Sequence, residues 1–251
     1  MPSFLTRKMS VTTALILSNI IIYVLGGLVS VPAVFGIPYP SAPSTESIAF
    51  VRGAYSWYTC FMEGEVWRLI TYQFLHAGPA HLIFNMWALY FFGPAVEDTM
   101  GSGRYLLFYL SCGVAGALFS SLLASMGLFG GAVSPGIDIF LTHLAQYTGQ
   151  EHLELWQLTS MVGASAGIYG VLVAVAFLYP HLRIRLIFPP VEMTMRTFAL
   201  VVLGLAVLTI TVNGHNAGGE AGHLGGIILS ALIMSIWRYL YIRRRNNDRT
   251  F

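Results

Sequence analysis

The stretch "MVGASAGIYG", residues 161–170, holds one serine, Ser165, with a glycine two residues to either side, and it runs straight into an apolar segment. Glycine lets another backbone or a ligand approach closely, yet it weakens a helix. A small polar residue among such bare backbone is therefore either a helix-packing position or a site. How the rest of the chain is built decides between them.

The chain has 251 residues, of which 56% are hydrophobic and only 10% charged. A soluble domain carries about a quarter charged residues. So few charges cannot cover a water-facing surface, and the composition indicates an all-α integral membrane protein. The only lysine is Lys8, and the only basic run is Arg243-Arg244-Arg245, so nucleic acid is not an expected partner. Cys60 falls in a loop and Cys112 in an apolar segment, which predicts two unpaired thiols rather than a disulfide or metal pair.

Six apolar stretches, at 12–30, 80–97, 105–126, 160–179, 197–213 and 219–240, each approach the roughly 20 residues that span a bilayer. The first follows Arg7 and Lys8 without a clear cleavage site after it, and is expected to be retained as a span. The organisation is thus a cytoplasmic N-terminus over 1–11, a six-span membrane domain over 12–242 and a basic cytoplasmic tail over 243–251. Basic residues favour the cytoplasmic side. With the N-terminus inside, Arg7, Lys8, Arg104, Arg183, Arg185, Arg196, Arg238, Arg243, Arg244, Arg245 and Arg249 all lie inside, and only Arg52 and Arg68 outside. The first outer loop, "AYSWYTCFMEGEVWRLITYQF" over residues 54–74, is rich in aromatics. Part of it is expected to lie at the lipid–water interface as a short amphipathic helix.

Spans two, four and six all run inward, so position along them reads as depth. His81, Asn85, Ser165 and His223 then lie about 5–10 Å below the outer boundary at 1.5 Å per residue. Polar side chains in lipid are costly and usually face the bundle interior. Four at one depth suggest one shared site. A serine hydroxyl is a poor nucleophile until a base takes its proton, and histidine suits that task. Ser165 and His223 form such a pair. His81 and Asn85 share a helix face and offer N–H donors to an oxyanion, with the Ser165 amide at a helix start as a third. Gly163 and Gly167 would admit substrate backbone. Tyr169 shares the Ser165 face and could pack on the His223 imidazole. Acidic residues fall in loops or at span ends, with Glu220 nearest to His223, so the expectation is a Ser–His dyad oriented by Tyr169 rather than by a carboxylate.

Taken singly, each residue has an ordinary reading: Ser165 and Tyr169 as packing residues, His81 and Asn85 as interfacial caps, His223 as a buried polar bridge. Their shared depth and complementary chemistry favour a site. The absence of HExxH argues against a membrane zinc protease, and no aspartate pair lies within the spans. His143, His152 and His215 fall in outer loops and are not read as metal ligands.

These pieces resemble the rhomboid intramembrane serine proteases over roughly residues 63 to 240. "EVWRLITYQFLHAGPAHLIFN" resembles the family's first loop, with its Trp67-Arg68 pair leading to an HxxxN motif at His81 and Asn85. "GASAGIY" is similar to the GxSG motif, and "AGHLGG" to the last-helix motif. The resemblance implies a six-helix bundle with an outward-open polar cavity, Ser165 as nucleophile, His223 as base, Tyr169 stacked on it, and His81 and Asn85 as oxyanion donors. It implies that Gly226 packs the last helix on the serine's helix and that His76 is a further family histidine. It implies no metal or organic cofactor, and as partners the lipid bilayer and transmembrane protein substrates. Ala166 stands where the family usually has glycine, and Gly222 where alanine is more usual. Inactive relatives that escort transmembrane clients typically lack the serine or histidine, and this chain has both. A channel would carry polar residues to the cytoplasmic side, yet spans four and six turn apolar below Ser165 and His223. Short loops without a soluble domain favour a prokaryotic plasma membrane.

Overall fold

A computed structural model describes residues 9–28, 30–32, 45–129, 154–186, 190–212 and 216–247. Arg7, Lys8, His143, His152, His215 and Arg249, and with them most of the second outer loop, lie outside the described residues. The chain is mostly helical. Helix α1 spans Val11–Leu28, and the short helices α2 (Ile48–Gly53) and α3 (Arg68–Thr71) fall in the first loop. Then come α4 (Pro79–Met100), α5 (Ser102–Ser125), the single turn α6 (Leu155–Leu158), α7 (Ser165–Leu178), α8 (Met195–Thr211) and α9 (Ala217–Asn247). Strands β1 (Ser30–Pro32) and β2 (Thr45–Ser47) pair antiparallel, as do β3 (Arg183–Arg185) and β4 (Glu192–Thr194).

Local chemistry marks the helix ends. Pro79 opens α4 at a position whose N–H would be unsatisfied anyway. Gly101, at φ +80°, closes α4 and lets α5 begin at once. Thr194 caps α8, its side-chain oxygen accepting from the Thr197 N–H. At the far end of α4, the buried Glu97 accepts from the Val11 and Thr12 N–H groups at 2.7 and 2.9 Å. It thereby satisfies two orphan donors at the start of α1 and ties the two helices together.

Helix α7 is central and nearly all of it is buried, with α4, α5, α8 and α9 packed around it. Its neighbours approach closely because glycines face them. A side chain at Gly226 would run into the Ala166 carbonyl, and one at Gly225 would come 2.6 Å from the Ala115 carbonyl. Ser230 then donates to the Gly170 carbonyl at 2.7 Å. Small residues and short interhelical hydrogen bonds are how helices associate where no hydrophobic drive separates protein from solvent. The outer faces carry large exposed apolar side chains, among them Phe84, Tyr90, Leu107, Leu205 and Leu232. Such surfaces suit lipid and not water.

Among the described residues two helices, Ser102–Ser125 and Ala217–Arg243, are long and apolar enough by composition to cross a membrane. Val11–Gly26, Ser165–Leu178 and Met195–Thr211 are shorter apolar helices. Among the described residues, helices α1, α4, α5, α7, α8 and α9 overlap the six apolar stretches, with shifted ends. The fourth begins at Ser165 rather than near residue 160, because residues 161–163 are held as extended loop against the first loop. The last runs on to Asn247, beyond its apolar part. Cys60 and Cys112 are both buried, unpaired thiols.

Candidate active site

The first loop forms a platform. Arg68 pairs with Glu65 and donates to the Ala54 carbonyl at 2.6 Å, while the Trp67 indole N–H reaches the Arg52 carbonyl at 3.2 Å. These bonds fold residues 52–54 back onto 65–71. Tyr55, thus held, exchanges backbone hydrogen bonds with Met161 at 3.1 and 2.8 Å. Two residues on, the Gly163 N–H donates to the Tyr72 carbonyl at 3.0 Å. The approach to Ser165 is therefore fixed by the loop that carries Trp67 and Arg68.

Gly163 has φ +132°, a conformation that disfavours any side chain. It also leaves space that matters. A carbon added there would lie 2.9 Å from His81 Cε1 and Nε2 and 3.5 Å from Ser165 Oγ. That is closer than a carbon can stand to the ring, so the gap between the His81 ring edge and the serine hydroxyl is kept open only because Gly163 carries no side chain. Ser165 is the first residue of α7, so its N–H has no acceptor within the helix and sits at the positive end of the helix dipole.

Ser165 Oγ lies 2.8 Å from His223 Nε2. Tyr169 stacks on the His223 ring with centroids 3.9 Å apart and planes inclined by 13°. His81, from α4, lies on the other side of the cavity. The Ala77 N–H approaches its Nδ1 at 3.4 Å, which leaves Nε2 to carry the proton toward the gap. Asn85 takes a different place. It is buried, its amide donates to the His81 carbonyl at 2.9 Å, and it is not among the residues lining the cavity. His76 packs edge-on against His81 at 5.0 Å, and burial pulls its imidazole down to about 4, so it stays neutral beside the site.

Ser165, His223, His81 and Gly163 line one cavity of about 310 Å³, with Tyr72, Met161, Ala166, Asn216, Gly219 and Gly222 completing much of the wall. Several of these were not legible as site residues, since only folding brings them to the serine. Ala166 fits without crowding: its methyl occupies the space Gly116 leaves, 2.6 Å from where a carbon on Gly116 would sit. A methyl on Gly222 would press chiefly on the far end of the Met161 side chain, 2.5 Å away.

One expectation is corrected. A carboxylate does accompany the serine and histidine: Glu220 Oε2 lies 3.0 Å from His223 Nδ1. Glu220 was the acidic residue nearest to His223 in sequence, and because three residues along one helix are about one turn, the two side chains share a face. Among the described residues no three His, Cys, Asp or Glu side chains cluster to hold a metal ion.

The Rhomboid domain model matches residues 63–239. The rhomboid protease AarA of Providencia stuartii is 28% identical over 237 residues, 92% of this chain and 73% of that protein. The rhomboid protease GluP of Bacillus subtilis is 53% identical over 58 residues, 23% of this chain but only 11% of that protein. RHOMBOID-like protein 12, mitochondrial, of Arabidopsis thaliana is 28% identical over 174 residues, 68% of this chain and 46% of that protein. The chain thus spans well under two thirds of some of these relatives. On the family match, which covers Trp67 and Arg68 of the first loop, the serine helix and most of the last helix, the chain belongs to the rhomboid family.

Proposed function

We propose that the chain is an intramembrane serine endopeptidase that cleaves transmembrane segments of membrane proteins near their outer end. The observation that carries this reading is the 2.8 Å contact between Ser165 Oγ and His223 Nε2 at the wall of a cavity. Two relatives named as rhomboid proteases support it. In this reading Ser165 attacks the scissile carbonyl carbon while His223 Nε2 takes its proton. The oxyanion forms in the gap that Gly163 leaves, within reach of His81 Nε2–H and the Ser165 N–H. His223 returns the proton to the leaving amine. Water then attacks the acyl-enzyme with His223 again as base, and Ser165 leaves. The Asn85 amide gives one N–H to the His81 carbonyl and would offer its second N–H toward the oxyanion.

The surrounding architecture is proposed as six spans over 12–242 with the cavity open to the outside and both termini cytoplasmic, in a prokaryotic plasma membrane. The split of basic residues supports the orientation, and the exposed apolar faces support the bilayer as solvent. A helical segment hides its backbone from a protease, so substrates should carry small or helix-breaking residues at the cut. The test is reconstitution in liposomes with a panel of single-span proteins. Cleavage near the outer end of a span, lost in both Ser165→Ala and His223→Ala, is expected. Cleavage that survives either change would remove the pair from the chemistry, and none by folded wild type would favour an inactive client-binding role.

A further inference from the structure

We infer that Glu220 is a positioning residue for His223, so that the reacting pair is held by a carboxylate as well as by the tyrosine stack. The inference rests on the protease reading above, and goes beyond it in naming what sets the state of the base.

The geometry is a line of three groups. Glu220 Oε2 stands 3.0 Å from His223 Nδ1, and Ser165 Oγ stands 2.8 Å from Nε2 on the opposite edge of the same ring. A neutral imidazole carries one proton, and a carboxylate can only accept. Glu220 therefore draws that proton to Nδ1 and leaves Nε2 bare, the form that can receive the serine's proton. Tyr169 cannot do this alone. A stack fixes the plane of the ring, but turning the ring by half a turn about Cβ–Cγ keeps it in that plane while exchanging Nδ1 for a carbon. Nor does the stack distinguish one protonated nitrogen from the other. The hydrogen bond at Nδ1 settles both.

Helix α9 makes the position tenable. Glu220 lies in its first turn, where the helix dipole favours negative charge. Its side chain is 22% exposed and that of His223 12%, so the pair sits at the wet end of the helix and not deep in apolar surroundings. A purely structural reading follows from the same fact: Glu220 could serve only the helix end. That role would affect folding and leave the state of His223 alone.

Glu220→Gln separates the two, since glutamine is isosteric and keeps the helix. The full-length protein, wild type and variant, is treated in detergent with a fluorophosphonate probe, and its histidines are ¹⁵N-labelled for NMR. The expected result is a maximal labelling rate of Ser165 lower by about 10- to 100-fold, with the half-saturating probe concentration little changed. The His223 resonances should report Nδ1–H in wild type and a loss of that preference in the variant. Wild-type labelling and an unchanged tautomer in Glu220→Gln would overturn the proposal, as would Nε2–H in wild type. Wild type that holds the Nδ1–H form yet never labels would instead sink the protease reading and leave the positioning contact standing.

Discussion

At the scale of single residues, the site turns on which donors face the gap beside Gly163. His81 presents a ring edge there, while the Asn85 amide is engaged with the backbone of its own helix. His81→Ala should therefore lower turnover by about 10²–10³, the effect of removing one oxyanion donor, and Asn85→Ala should cost less. Turnover numbers of the two variants on one cleaved substrate decide it; a larger loss in Asn85→Ala would mean that its amide swings to the oxyanion during reaction. Spacing placed His81 and Asn85 on one helix face because helical periodicity dictates it. It could not say which carbonyl would capture the amide, for that depends on side-chain torsions. Glu220 stood out as the acidic residue nearest to His223, but its contact with the ring was not expected for a related reason. One helical turn separates Glu220 from His223, yet whether the two side chains meet depends on their torsions.

At the scale of the elements, α5, α7 and α9 meet where side chains are nearly absent. A methyl on Gly116 would lie 2.6 Å from Ala166 Cβ and 2.7 Å from the Gly222 carbonyl. Overpacking of this kind costs about 1–3 kcal/mol. Gly116→Ala should lower thermal stability in detergent, and Ala166→Gly in the same chain should restore part of the loss, the Gly222 carbonyl remaining in the way. Strictly additive effects would mean the two positions do not touch. The apolar stretches were legible because bilayer thickness sets a length that sequence displays directly. The start of α7 was not, because the loop before it is held by long-range bonds to Tyr55 and Tyr72 that no local pattern encodes. The partnership of Ala166 with Gly116 is likewise a contact between distant parts of the chain.

At the scale of the molecule, the folded first loop, the glycine-lined helix contacts and the apolar outer faces serve one arrangement. They place Ser165, His81 and His223 around one cavity among helices whose outer surfaces suit lipid. The serine's helix is the most enclosed, so in the proposed reaction Ser165 would act from a well-buried element, with His223 on its tightly packed neighbour. The central claim is that Ser165 is an activated nucleophile whose activation depends on His223. It is tested most directly by treating the folded protein with a fluorescent fluorophosphonate and locating the adduct by mass spectrometry. The account predicts labelling of wild type at Ser165 and none in His223→Ala. Labelling that persists in His223→Ala, or a folded wild type that never reacts, would contradict it.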